Sequence, residues 1–113
     1  MAEPSITDVF GAGATQDATT ITIQKADLAS SGFTPSASNS AESILAAVLI
    51  NGKGYLTQAN ADANPDQSVT VVDGITSIIS RNDGSGTFVP YRQFQMNVNF
   101  TTPDTATFSP DDY

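Results

Sequence analysis

The chain contains no histidine, no cysteine and no tryptophan, and only four of its 113 residues are Lys or Arg. Each absence closes a route. Without imidazole, no side chain with an ordinary pKa near neutrality is at hand as a general base. Without thiols there is no cysteine nucleophile and no disulfide staple, and the usual nitrogen and sulfur ligands of zinc are missing together. The expectation is therefore a protein that is not an enzyme and needs no cofactor. The four cations, Lys25, Lys53, Arg81 and Arg92, are too scattered for a phosphate-neutralising stripe, so no nucleic-acid partner is expected. The formal net charge of −8 and a pI near 4.1 would be repelled by an anionic bilayer, so no membrane partner is expected either. The longest apolar run, Ile44 to Ile50, is too short to span a bilayer. The opening Met1-Ala2-Glu3-Pro4 has neither a basic patch nor an apolar stretch, and no secretory signal is expected.

What is present is uncharged polarity. Ser, Thr, Asn and Gln are abundant, while charged residues make up 14% and apolar residues 39%, enough for a modest core. The length fits one domain over 1–113. Residues 1–18 carry Gly11-Ala12-Gly13-Ala14 and little periodicity, which suggests an N-terminal arm with one short turn around Ile6 to Phe10. Thr19 to Gln24 alternates, with Ile21 and Ile23 on one face, and predicts a half-buried strand. Residues 29–39 read as a loop. A helix is predicted at about 40–50. Asn39 would cap it with Glu42 three residues on, Ala41, Ile44, Leu45 and Val48 would share a face, and Asn51-Gly52 would stop it. Such a short apolar helix would lie on a sheet.

Residues 53–67 read as a linker, and an antiparallel meander is expected over 68–100. Val69 and Val71 open it, Asp73-Gly74 is a two-residue hairpin signal, Ile75 to Ser80 returns, and Arg81 to Gly86 is a longer loop. The next segment alternates most clearly: Phe94, Met96, Val98 and Phe100 against Gln93, Gln95, Asn97 and Asn99. Phe94, Met96 and Val98 should form the core face with Ile44 and Val48, and the amide row should face solvent or a polar partner. From Thr101 the pattern stops, and 101–113 reads as an extended C-terminal tail around a β-rich body at 19–100. The fold class expected is α+β, dominated by strand, with one short helix on an antiparallel sheet and extended arms at both ends.

Few motifs carry chemistry. From Asp62 to Asp73, oxygen-bearing residues fall at the ligand positions of a twelve-residue calcium loop, with Asp62, Asn64, Asp66 and Asp73 as the candidate ligands. Gln67 stands where the turn needs Gly, and Asp73 is shorter than the usual bidentate Glu, so no metal is expected. Asp104-Thr105-Ala106 lacks the Gly of an aspartic-protease motif. Gly52-Lys53-Gly54 and Gly84-Ser85-Gly86 lack phosphate-loop spacing and fit a helix stop and a loop tip. Asn99-Phe100-Thr101 is a formal glycosylation sequon without a secretory context.

The opening SITDVFGAGATQDATTITIQKADL, the helix segment AESILAAVLING and the polar strand near the C-terminus resemble small virion structural proteins of tailed bacteriophages, especially those of cyanobacterial hosts. The resemblance covers most of the chain and carries no catalytic or ligand motif. It implies a virion location and other virion proteins as partners, with the major capsid protein first. It fits a capsid decoration (cement) protein best, and a neck, tail or fibre component is the alternative. A small acidic regulatory protein is a more distant one. By analogy with decoration proteins it also implies a homo-oligomer, a trimer or a dimer. Terminal segments that lie on neighbours would then anchor through Ile6, Val9 and Phe10 at one end and Phe108 and Tyr113 at the other. Packing of the same residues on their own domain is the competing expectation.

Overall fold

The order of elements follows from where the chain can cap and where it must turn. The computed structural model describes residues 3–104 and 107–113. Helix α1 (Ile6–Phe10) begins at a capping box. Asp8 N–H donates to Ser5 Oγ at 3.2 Å, and Ser5 N–H donates to Asp8 Oδ2 at 3.0 Å. It ends at Gly11, whose φ of 110° few side chains tolerate. Strands β1 (Thr15–Gln16) and β2 (Ile21–Thr22) then form a minimal hairpin. The alternation expected over Thr19 to Gln24 survives only as these two β2 residues. The turn between them is shaped by Asp17, whose carboxylate accepts the N–H groups of Thr19 and Thr20 at 2.8 and 2.9 Å.

A 3-10 helix over Lys25–Ser31 follows, where the sequence offered no clear period. Helix α2 (Ala41–Lys53) is the expected helix, with corrected ends. Ser40 is the cap, since its Oγ accepts Ser43 N–H at 3.1 Å. Asn39 is occupied in the loop before it, accepting from Ser36 N–H at 2.8 Å and donating to Thr34 O at 3.0 Å. The helix also runs through Asn51-Gly52, because α1 packs there. Asn51 Nδ2 donates to Val9 O at 2.7 Å, and Gly52 is buried beneath Val9, where a Cβ would sit 3.5 Å from Val9 Cγ1. Helix α3 (Gln58–Ala63) replaces part of the linker expected over 53–67.

Strands β3 (Val69–Asp73), β4 (Ser77–Asn82), β5 (Phe88–Gln93) and β6 (Met96–Phe100) complete the fold. Their pairing is antiparallel, β3 with β6 and β4 with β5, so the expected meander is instead one long bent hairpin. Asp73 lies opposite Met96 and Ser77 opposite Gln93. Three residues on the outgoing side, 74–76, therefore face two on the return, 94–95, which is the signature of a bulge. Asp73-Gly74 is part of that bend, not a hairpin turn: neither residue has positive φ, and Gly74 N–H donates across to Gln95 O at 2.7 Å. The chain reverses at the second Asp-Gly pair, Asp83-Gly84, where Gly84 and Gly86 have φ of 96° and 90°.

The result is an α+β fold with antiparallel strands and a short helix, as the sequence suggested. Strand does not outweigh helix as expected, with helices at 31% and strands at 24%, because α3 falls in the segment expected to be a linker and the 3-10 helix runs into the one expected to be a loop. The core lies in the N-terminal half. Leu28, 1% exposed, meets Phe33 and Ala47, with Ile23, Ile44 and Val48 around them. Helix α2 thus buries Ile44, Ala47 and Val48, while Ala41 and Leu45 of the predicted face are exposed. The expected core at Phe94, Met96 and Val98 is not there. Met96 is half-buried, Val98 is exposed, and Phe94, inside the bend, is 77% exposed. Phe94→Ala is therefore expected to change the stability of the isolated chain by no more than about 0.5 kcal/mol, measured by urea unfolding of dilute protein. A loss above about 2 kcal/mol would place Phe94 in a core after all.

The ends also depart from the expected arms. Residues 5–13 fold back through α1 onto α2, and Gly13 N–H donates to Asp27 Oδ2 at 2.7 Å. At the other end Phe108 and Tyr113 pack edge-on against Phe100, each with ring centroids 5.4 Å from it. Of the faint protease-like triplet, Thr105 and Ala106 lie outside the described residues.

Candidate functional site: the projecting ribbon and its bend

The ribbon projects because little packs on it. A two-stranded hairpin alone is marginal in water and normally needs a third strand or a helix against it. The β3–β6 half has such support. Val71 N–H donates to Leu56 O at 2.8 Å, Thr70 and Val71 are buried, and both α2 and α3 contact β3. A buried amide cluster fastens this corner. Gln67, 6% exposed, donates from Nε2 to Thr57 O at 3.1 Å and Val69 O at 2.9 Å, and Asn60 Nδ2 donates to its Oε1. Asn64 Nδ2 closes the cluster on Asn60 O and Oδ1, each at 3.1 Å.

The β4–β5 half lacks that support, and each of its faces carries apolar side chains among polar ones. Residues directly opposite share a face. One face carries Ile78, 62% exposed, Phe88, 68% exposed, and Arg92. The other carries Ile79, Val89 and Tyr91, with the Arg81 guanidinium 5.4 Å from the Tyr91 ring centroid. At the bend, Ile75 and Phe94 are the most exposed large apolar residues among those described. Beside them lies an open groove of about 510 Å³, lined by Ile50, Phe94, Gln95, Met96 and the Lys53–Asp73 ion pair at 2.9 Å.

Charge divides along the same line. Residues 75–94 hold two of the four basic residues, Arg81 and Arg92, and one of the twelve acids, Asp83; they carry net +1, against −9 for the rest of the chain. Two carboxylates in exposed turns are held below the ordinary Asp range. Asp17 is lowered first by the backbone N–H groups of Thr19 and Thr20, and Asp83 first by the Ser85 hydroxyl and then its N–H. A carboxylate whose folded pKa is depressed supports the fold above its unfolded pKa, and that support is lost as pH falls through the folded value. Both turns are thus expected to loosen only in acid below the ordinary Asp range. Carboxyl NMR titration should give midpoints for Asp17 and Asp83 below an unstructured Asp peptide; midpoints at or above it would contradict these hydrogen bonds.

The residues singled out from the sequence are not one site. Ile6, Val9 and Phe10 are half-buried in α1. Phe108 and Tyr113 sit on Phe100. The amide row is split by the bend: Gln93 ends β5, Gln95 lies across from Gly74, and Asn97 and Asn99 belong to β6, all four exposed. The calcium-loop candidates disperse because the segment is divided between elements: α3 ends at Ala63 and β3 takes up Val69–Asp73. Asp62 is on α3, accepting from Gln58 Nε2 at 2.9 Å, Asn64 is in the amide cluster, Asp66 accepts Glu3 N–H at 2.8 Å, and Asp73 pairs with Lys53. No group of three or more acidic side chains that could hold a metal ion occurs among the described residues. Among the described residues, no helix is long and apolar enough to cross a membrane.

The surface missed by the sequence is the β4–β5 ribbon. Its signal was present as a double alternation, Ile78 and Ile79 side by side and Phe88 and Val89 side by side, which puts apolar side chains on both faces of a strand. No known family matches the chain, and no curated protein or solved structure matches it either.

Proposed function

We propose that this chain is a non-enzymatic structural protein of a tailed-bacteriophage particle, a capsid decoration (cement) protein that binds the shell and stabilises it as a homo-oligomer. The phage context comes from the sequence resemblance. The observation that carries the assembly half is surface. The chain exposes 7884 Å², whereas a compact monomer of 11.7 kDa exposes about 5,900 Å². Its radius of gyration is 16.9 Å, against about 13 Å for a compact domain of this length, and it spans 50 × 36 × 25 Å. A small core with a long unsupported ribbon suits a component finished by its neighbours. Many copies on a symmetric particle gain by avidity, so weak individual contacts suffice. The major capsid protein is the partner in this reading, and an elongated body with a projecting ribbon also suits a neck, tail or fibre position.

Adding purified protein to heads that lack it separates these outcomes. A decoration protein should saturate at many copies per head and raise the temperature at which the shell opens. Saturation at a few copies, with no change in shell opening, would move the protein to the neck or tail. No binding would reject the proposal.

A further inference from the structure

We infer that the β4–β5 ribbon is a self-association arm, and that it docks on the acidic body of a second copy of this chain. The inference rests on the homo-oligomer part of the proposed function and not on the particle.

Three observations select the occupant. The first is the ribbon's chemistry. Ile78 and Phe88 stand exposed on one face, and Ile79, Val89 and Tyr91 lie on the other. A solvated two-stranded ribbon would keep one face polar. Here neither face is wholly polar: exposed or half-buried apolar side chains stand among Ser80, Asn82 and Arg92 on the first and among Ser77, Arg81 and Gln93 on the second, and they call for cover that the chain's own helices do not provide. The second is area. The exposed surface exceeds that of a compact monomer by about 2,000 Å², more than the roughly 800 Å² per partner that a standard stable interface buries. The third is charge. The ribbon carries net +1 and the rest of the chain −9, so ribbon against body is complementary while body against body is repelled. Arg81 and Arg92 leave from opposite faces of the ribbon, so either face can meet acidic surface.

Pro90 limits the alternatives. A proline fits a ladder only where its nitrogen points away from the partner strand, so it blunts the outer edge of β5 against strand addition. Docking through the faces, and not by growing a continuous sheet on that edge, is what this arrangement favours.

Sedimentation of the purified full-length chain, over a concentration series without particles, tests the inference. The wild type is expected to self-associate, and its dissociation constant should rise as salt screens the charges. Ile78→Ser with Phe88→Ser should weaken association by at least about tenfold. Arg81→Glu with Arg92→Glu should do so independently, by at least about tenfold. All four side chains are exposed, so the variants should keep the wild-type far-UV circular dichroism and melting temperature as dilute monomers. A wild type that stays monomeric overturns both the inference and the homo-oligomer. An oligomer unaffected by either double variant overturns the ribbon's role and leaves the homo-oligomer standing. Loss with the serine pair but not with the glutamate pair overturns docking on the acidic body. Particle binding is read separately, so its failure does not touch this result.

Discussion

Leu28→Ala is expected to destabilise the chain by about 2–5 kcal/mol, measured as the change in unfolding free energy in urea. Leu28 is 1% exposed, and no other large side chain is as fully buried among the described residues. It joins the 3-10 helix to α2 through Phe33 and Ala47, and few other apolar residues are buried to share the load. Domains of ordinary size are stable by only about 5–15 kcal/mol, so this one truncation should remove a large share and much of the folded population at elevated temperature. The methyl of Ala47, in contact across the cluster, cannot fill the volume left. A loss below about 1 kcal/mol would show that the N-terminal half is not the stabilising core.

Gln67→Leu is expected to cost about 2–4 kcal/mol, although leucine is apolar and similar in size. The side chain is buried and makes three hydrogen bonds, to Thr57 O, Val69 O and Asn60 Nδ2. Replacement strands all three partners, and each unsatisfied buried group costs about 1–3 kcal/mol, partly relieved where water can enter. Because the cluster positions α3 against β3, the loss should be accompanied by faster amide exchange at residues 57–70. A neutral or stabilising Gln67→Leu would mean that the amide cluster is not a structural fastener. Gln67→Glu separates shape from bonding: it keeps the acceptor to Asn60 but loses both donated bonds, and should also destabilise.

How much of this was legible follows from the physics of each segment. Helix α2 was legible because an apolar period and a cap coincide in the sequence, but its ends were not. Ser40 and Asn39 are equally good caps on paper, and only the loop geometry that engages Asn39 decides between them. Asn51-Gly52 reads as a stop until α1 is packed against it, when Asn51 bonds to Val9 O and Gly52 is buried beside Val9. The alternation after Phe94 correctly indicated a strand at 96–100. It gave the wrong core because period two distinguishes two faces and does not say which is covered. The bulge then removed Phe94 from the face to which the count assigned it. Asp73-Gly74 failed for a related reason: a second Asp-Gly pair ten residues on competes for the reversal, and its neighbour Gly86 supplies a further positive φ. The calcium pattern did not mark a loop, because α3 ends inside it at Ala63 and β3 takes up its last five residues. The ribbon as an interaction surface was the least legible feature, since exposure is a tertiary property and the same Ile and Phe residues would read as core in any compact arrangement.

If the chain is, as proposed, a component of a phage particle completed by its neighbours, it should travel with intact particles. The most direct measurement is sedimentation of intact particles from a lysate through a density gradient, with this chain quantified by mass spectrometry across the fractions. The chain is expected to band with the particles and stay there through repeated gradients, in fixed ratio to the major capsid protein. Recovery of the chain only from the soluble fractions, with none in the particle band, would contradict it.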